Sequence, residues 1–212
     1  MPEQRTHLDL GCGLKPKNPY GYETLFGIDI RAREADPSGA TVIGANLATQ
    51  PIPFADDSFD SVSAYDFFEH IPRVALDYAS NTSRFPFVEL MSEIWRVLKP
   101  DGLLYAITPA FPSEKALRDP THVNIITRKT HRYFTQPDVL GRMYGFKGQF
   151  QLVRQAWVHP RDAYEPMNPG IGRRLRNLTE RLSGEQSHLI WELKAVKDTP
   201  RQAAAAAAVA HS

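Results

Sequence analysis

The chain has 212 residues, 42% of them hydrophobic, which is enough to bury one enzyme-sized core and argues for one domain rather than two. Its 25 lysines and arginines stand against 24 aspartates and glutamates, so the formal charge of +1 excludes a global field toward nucleic acid or an anionic membrane. A single cysteine, Cys12, excludes a disulfide framework and a clustered cysteine zinc site, and suits a reducing compartment.

Met1-Pro2-Glu3-Gln4-Arg5 runs straight into a strand-like segment with no secretory leader, and no apolar run is long enough to cross a bilayer. A cytoplasmic protein without a membrane partner is therefore expected. His7-Leu8-Asp9-Leu10 reads as a first strand ending at a glycine turn. Residues 25–30, 41–45 and 59–65 read as the second, third and fourth strands. Phe87, Leu90, Met91, Ile94, Val97 and Leu98 recur at helical spacing, which predicts a helix over 87–98 with one face on a sheet. Lys99-Pro100-Asp101-Gly102 stops it, and residues 103–108 form an apolar fifth strand.

The second half is less regular. Residues 109–126 are irregular, 136–144 read as a helix, and 150–158 as a strand. A proline-rich, then arginine-rich insertion over 159–181 precedes a last strand over 188–196, and it is long for a hairpin. Short apolar runs alternating with amphipathic stretches are the pattern of a parallel sheet with crossover connections, an α/β fold. One domain over 1–198 is expected, with 109–187 shaping the acceptor site. Residues 199–212 include an alanine run with nothing to pack against, and no fixed structure is expected there.

The chemistry-bearing signal comes first in the chain. Gly11-Cys12-Gly13 follows the first strand, where the backbone must turn sharply and a ligand must approach without a Cβ in the way. Asp29 ends the second strand about 20 residues later, where an acid accepts hydrogen bonds from a ribose diol. Dinucleotide dehydrogenases share this layout but need a third glycine opening a helix that receives a pyrophosphate. Here Leu14-Lys15-Pro16-Lys17-Asn18-Pro19 follows instead, so a phosphate-free adenosyl cofactor fits better.

Further blocks are Leu47, the run from Pro51 to Val62, Phe68-Glu69-His70-Ile71, and Arg96-Val97-Leu98-Lys99-Pro100-Asp101-Gly102. In order and spacing they resemble the class I S-adenosylmethionine-dependent methyltransferases of the type 11 group, over roughly residues 7–108. The resemblance implies a Rossmann-like fold, a mostly parallel seven-stranded sheet with an antiparallel last strand. It also implies S-adenosyl-L-methionine as cofactor. Carried over from the family, Asp9, Gly11 and Gly13 meet the methionine part and Asp29 the ribose hydroxyls, with Cys12 and Ile30 beside them counted among the cofactor-binding residues. Asn46 and Leu47 flank the adenine, and Tyr65 and Asp66 face the sulfonium. Two departures stand out: Asn46 replaces the usual acid, and the first crossover is too short and proline-broken for the usual helix. That truncated start is similar to a subset linked to cell-surface polysaccharide genes.

Methyl transfer needs an oriented acceptor and removal of its proton. His70 and His122 are the candidate bases, His122 within the polar block Asp119-Pro120-Thr121-His122-Val123-Asn124. No resident metal is expected, although Asp119, His122 and Asp66 are of types that suit a divalent ion. Bland alternatives stand beside each: a bracing role for His70, and turn-type hydrogen bonds for the 119–124 block. The acceptor is expected to be a small molecule or sugar methylated on O or N. An RNA or protein acceptor docked on Arg173, Arg174, Arg176 and Arg181 is the alternative, as is a non-catalytic cofactor-binding subunit. Leu175, Leu178 and Leu182 lie at helical spacing and favour an ordinary helix with solvated arginines. Tyr144, Phe146, Phe150 and Trp157 read as core rather than as a base-stacking surface.

Overall fold

A computed structural model of the chain describes residues 4–31, 39–161 and 164–197. The expectation for residues 199–212 lies outside the described residues. In chain order the elements are strands β1 (Thr6–Leu10), β2 (Thr24–Asp29), β3 (Thr41–Gly44) and β4 (Phe59–Tyr65), then a small hairpin of β5 (Ala75–Asp77) and β6 (Thr82–Arg84). Helix α1 (Pro86–Val97), strands β7 (Leu98–Pro109) and β8 (Phe150–Val158), helix α2 (Ile171–Leu182) and strand β9 (His188–Ala195) follow. One seven-stranded sheet has the order β3-β2-β1-β4-β7-β9-β8. The pairs β3/β2, β2/β1, β1/β4 and β4/β7 are parallel, and β9 runs antiparallel to both its neighbours. The expected architecture is therefore present. Strand order reverses between β1 and β4, the place where open α/β sheets bind ligands.

Helix α1 forms for the reasons its sequence announces. Pro86 sits in the first turn, where a missing N–H costs nothing, and Phe87, Leu90, Met91, Ile94 and Val97 make one buried stripe. They pack on Leu8, Leu10, Val62, Ala64, Leu104 and Ala106 from the sheet. Arg96, on the polar side, donates from its guanidinium to the carbonyls of Phe54 and Ile52 at 2.8 and 2.9 Å and pairs with Glu93 and Asp56. Strand β7 begins at Leu98 rather than Leu103. Asp101 adopts a left-handed φ of +62°, and the β4/β7 register shifts between Phe59 and Ser61, so the turn is absorbed as a bulge within the strand.

Among the described residues, no crossover helix lies against the other sheet face. His7 and Asp9 of β1 project there opposite Ser61 and Ser63 of β4, and all four are buried at 1% exposure or less. Beside them Tyr65, Tyr105, Ile107 and Ile190 form a second apolar cluster, closed by Tyr20 and Tyr164. Tyr20 belongs to the 11–23 loop, packs edge-on against Tyr105 at 6.1 Å, and donates its hydroxyl to buried Glu192 at 2.8 Å. Through Tyr20 the 11–23 loop thus covers the face that the usual crossover helix would cover.

Three expectations are corrected. Residues 136–144 are not an α-helix: Val139 has a left-handed φ of +42°, and only Leu140–Tyr144 forms a 3-10 turn. Left-handed backbone cannot continue a right-handed helix. Tyr144 is 40% exposed, whereas Phe146 and Phe150 are core. Helix α2 forms within the insertion with its faces reversed. Ile171, Leu175, Leu178 and Leu182 are 52–80% exposed, while Glu180 is buried, pairs with Arg161 at 3.0 Å, and lies 3.7 Å from Arg176. Arg173 turns in toward Glu165 at 3.7 Å. The inner surface at this place is charged, so the polar side of α2 faces in.

Candidate functional site

The glycine turn after β1 is built from the sheet upward. Gly11 and Gly13 have φ of +62° and +59°, which only glycine adopts without cost. A Cβ on Gly11 would lie 2.4 Å from the Phe67 ring, whereas the space beside Gly13 is open. Cys12 is buried and donates its N–H to the Ile28 carbonyl at 3.0 Å, tying the turn to β2. Gly13 N–H donates to Asp29 Oδ2 at 3.0 Å, and Arg31 N–H to Asp29 Oδ1 at 3.1 Å. Each carboxylate oxygen keeps a further lone pair for a ligand hydroxyl.

Asp9 sits beneath this turn. Its Oδ1 accepts from Ser63 Oγ at 2.6 Å and its Oδ2 from Lys17 N–H at 2.8 Å. Burial pushes its carboxyl up to about 7, against the lowering effect of those two hydrogen bonds. Asp9 therefore holds the loop from below. Large apolar side chains flank the turn in the open, Leu14 at 76% and Ile30 at 66% exposure. Asn46 Oδ1 accepts from Ala48 N–H at 3.1 Å and so shapes the turn after β3, while Leu47 is buried in the core.

At the carboxyl end of β4, Tyr65 is buried with Lys17 Nζ 4.3 Å above its ring, and burial raises its phenol well above the usual range. Asp66 follows with φ +46°, a conformation aspartate tolerates better than most residues. Its Oδ1 lies 3.1 Å from His188 Nε2, and Ser187 Oγ lies 2.8 Å from His188 Nδ1. Asp66 is thereby engaged away from Asp119 and His122, and the Asp119, His122, Asp66 combination is not assembled.

A different group is. Beyond the carboxyl ends of β4 and β7, a 3-10 turn over Phe68–His70 carries Glu69 and His70. The 119–126 segment folds onto it. Val123 and Asn124 N–H both donate to the Glu69 carbonyl at 2.9 Å, Asn124 Nδ2 donates to the Phe68 carbonyl at 3.0 Å, and Arg73 Nε to Asn124 Oδ1 at 2.7 Å. This brings the His70 and His122 rings edge to face at 4.9 Å. Glu69 is 1% exposed, and burial raises its carboxyl to about 7. Its Oε2 accepts from the Thr108 hydroxyl at 2.8 Å; its Oε1 has no hydrogen-bond partner among the described residues. Asp119 lies on the solvent side, where hydrogen bonds from the Thr121 hydroxyl and backbone hold its carboxyl below the usual range. A cavity of about 470 Å³ lined by Arg73, Val74, Phe85, Phe87, Thr127 and Phe134 shares Arg73 with this network.

Two residues of this end escaped the sequence. Glu69 stood beside His70 but carried no signal of burial, and His188 was visible only as the start of a strand. Cross-chain packing decides both.

Residues 8–106 match a methyltransferase-domain family model. No curated protein sequence matches the chain. Among solved structures, a chain of the complex between the Haloferax volcanii Trm112 methyltransferase activator and a methyltransferase is 18% identical, with 93% of this chain and 86% of that one covered at a TM-score of 0.56. An S-adenosylmethionine-dependent methyltransferase from Mesorhizobium loti is 14% identical, with 92% and 93% covered at 0.52. Geranyl diphosphate C-methyltransferase from Streptomyces coelicolor, solved with Mg2+, geranyl diphosphate and S-adenosyl-L-homocysteine, is 14% identical, with 92% and 73% covered at 0.53. At such identities these three establish a shared fold. The family match takes in the glycine turn, the acid after β2 and the segments after β3 and β4, and with the shared fold it makes the chain an S-adenosylmethionine-dependent methyltransferase whose residues 8–106 are similar to the methyltransferase domain.

Proposed function

We propose that the enzyme methylates an oxygen or nitrogen atom of a small molecule or sugar, with the cofactor over the β1 and β2 ends and the acceptor over the β4 and β7 ends. The residues present fit the cofactor. Gly13 offers open backbone, Asp29 offers two oriented oxygens for the ribose hydroxyls, and exposed Ile30 and Leu14 offer apolar cover for the purine. Asn46 and Leu47 border the adenine side, and Tyr65 and Asp66 the sulfonium side. S-adenosylmethionine supplies a methyl carbon on a positively charged sulfur that leaves as a neutral thioether.

The chain's own task is to orient the acceptor and receive its proton. The observation that carries the acceptor side is the convergence of Glu69, His70 and His122 at the strand ends, one strand across from the glycine turn. In this reading His70 and His122 address the acceptor, and Asp66 with His188 bounds the site. An RNA acceptor loses support because two of the four arginines, Arg173 and Arg176, are drawn to acidic partners, although Arg174 and Arg181 stay exposed.

The test is release of S-adenosylhomocysteine across panels of hydroxylated and amine small molecules, sugars, RNA and protein. Turnover with a small acceptor, reduced about 100-fold or more in His122→Ala with cofactor affinity unchanged, supports the reading. Turnover confined to RNA or protein overturns it.

A further inference from the structure

We propose that Glu69, His70 and His122, completed by Asp119, bind one divalent transition-metal cation of the zinc type. The inference rests on the acceptor-side reading above and adds the agent through which the two imidazoles meet an acceptor donor atom.

Three potential ligand atoms converge here. One ligand atom each from Glu69, His70 and His122 lies within 4.8 Å of the other two. Glu69 Oε1 is buried without a hydrogen-bond partner among the described residues and points at His122 Nε2, 4.0 Å away. It cannot swing off to find one, because Oε2 is held by Thr108 and the Glu69 carbonyl by Val123 and Asn124. A buried carboxylate oxygen left alone is costly and uncommon; a cation removes that cost.

The hydrogen bonds around the rings also set their tautomers. His122 Nδ1 lies 3.3 Å from the Ala116 carbonyl, which only accepts, so Nδ1 carries the proton and Nε2 presents its lone pair to Glu69 and Asp119. Thr121 Oγ1 donates to Asp119 Oδ1 at 2.7 Å and therefore accepts from His70 Nδ1 at 3.1 Å, as does the Thr121 carbonyl at 3.3 Å. His70 Nε2 is then its lone-pair atom. An imidazole donating one N–H to a carbonyl while offering the other nitrogen is the usual arrangement of metal-bound histidine. Asp119 is oriented by the same threonine, its Oδ1 engaged and its Oδ2 3.9 Å from His122 Nε2.

Two imidazoles with carboxylates suit zinc and its neighbours, whereas magnesium and calcium prefer all-oxygen shells. Bonds of about 2.0–2.2 Å bring tetrahedral donors to about 3.4 Å apart, so the donors close inward by on the order of an ångström. His70 is exposed and Asp119 half-exposed, which gives them that freedom and gives the ion an entry path. Buried Glu69 is the fixed member. Asp119, the half-exposed donor, holds the fourth position and is the one that an acceptor oxygen or nitrogen would displace.

The experiment uses the full-length, tag-free protein stripped with a chelator and titrated with Zn2+ by calorimetry, and with Co2+ by absorption. One equivalent should bind, and His70→Ala and His122→Ala should each weaken it by at least the roughly 10–100-fold that even outer partners of a metal cost. Glu69→Gln, which keeps the shape and the Thr108 contact, should do the same, while His188→Gln should leave Zn2+ affinity unchanged. Absence of stoichiometric binding, or equal binding in the His70 and His122 variants, overturns the site. S-adenosylhomocysteine affinity of the stripped protein is measured in parallel. If it persists without metal binding, the cation falls and the methyltransferase reading stands.

Discussion

Ser63 Oγ donates to Asp9 Oδ1 at 2.6 Å across the β1/β4 pair, and the same hydroxyl lies 2.8 Å from His7 Nε2. His7 Nδ1 in turn lies 2.6 Å from Ser61 Oγ. With Asp9 ionised, the protons are ordered from Ser61 to His7 to Ser63 to the carboxylate, and His7 is the Nε2–H tautomer. With Asp9 protonated the order reverses. This ladder lies fully buried under the cofactor turn, and Asp9 hands it on to the loop through Lys17 N–H.

Removing one rung should therefore cost stability and loosen the turn together. Ser63→Ala leaves Asp9 Oδ1 and His7 Nε2 without their partner, and a loss of about 1–3 kcal/mol is expected in denaturant unfolding. S-adenosylhomocysteine affinity should fall in the same variant. An unchanged unfolding midpoint would show that the ladder contributes nothing.

The pH dependence follows from the two titrating rungs, which act in opposite senses. Burial lowers His7 to about 4, so between about pH 4 and its unfolded value near 6.5 the unfolded chain holds the extra proton, and acidification through that window removes stability. Burial raises Asp9 to about 7, so the folded chain holds the extra proton from about pH 4 to 7, and raising the pH removes stability. Their slopes, each about 1.4 kcal/mol per pH unit at full effect, cancel between about pH 4 and 6.5. Asp9→Asn should expose a stability that rises with pH across that window, and His7→Gln one that falls. Unfolding free energies of both variants and the wild type from pH 4 to 7 decide this, and parallel curves for all three would refute it.

Asp29 is expected to carry much of the cofactor affinity while contributing little to the core. Asp29→Ala removes the acceptors for two ribose hydroxyls and for the Gly13 N–H, and hydrogen bonds to a charged group are each worth about 1.5–3 kcal/mol. S-adenosylhomocysteine binding should weaken about 100-fold or more by calorimetry. Undiminished affinity would place the ribose elsewhere.

The reversed helix α2 makes a contrasting pair. Leu178→Ser alters a side chain that is 52% exposed and should change stability by no more than about 0.5 kcal/mol. Glu180→Ala removes a 5% exposed carboxylate paired with Arg161 and should cost about 1–2 kcal/mol. Thermal and denaturant unfolding of both variants test the orientation, and a larger loss from Leu178 would contradict it.

What the sequence determined by itself was local. The apolar period of α1, the strands on either side of it, and the pairing of Gly11 and Gly13 with Asp29 were legible because each depends on spacing within one element or on one short connection. The tertiary structure decided what depends on distant segments. Residues 136–144 carry a helical pattern, but Val139 takes a left-handed backbone that ends it. The leucines of α2 have helical spacing, yet spacing cannot say which face meets a charged neighbour. The polar alternation of His7 and Asp9 looks like a solvated strand face, and only the partners on β4 and the cover of Tyr20 make it a buried one. Glu69 and His122 stand far apart in the chain, and the backbone bonds of Val123 and Asn124 to Glu69 bring them together. Burial and orientation are properties of pairs of segments, so no single segment announces them.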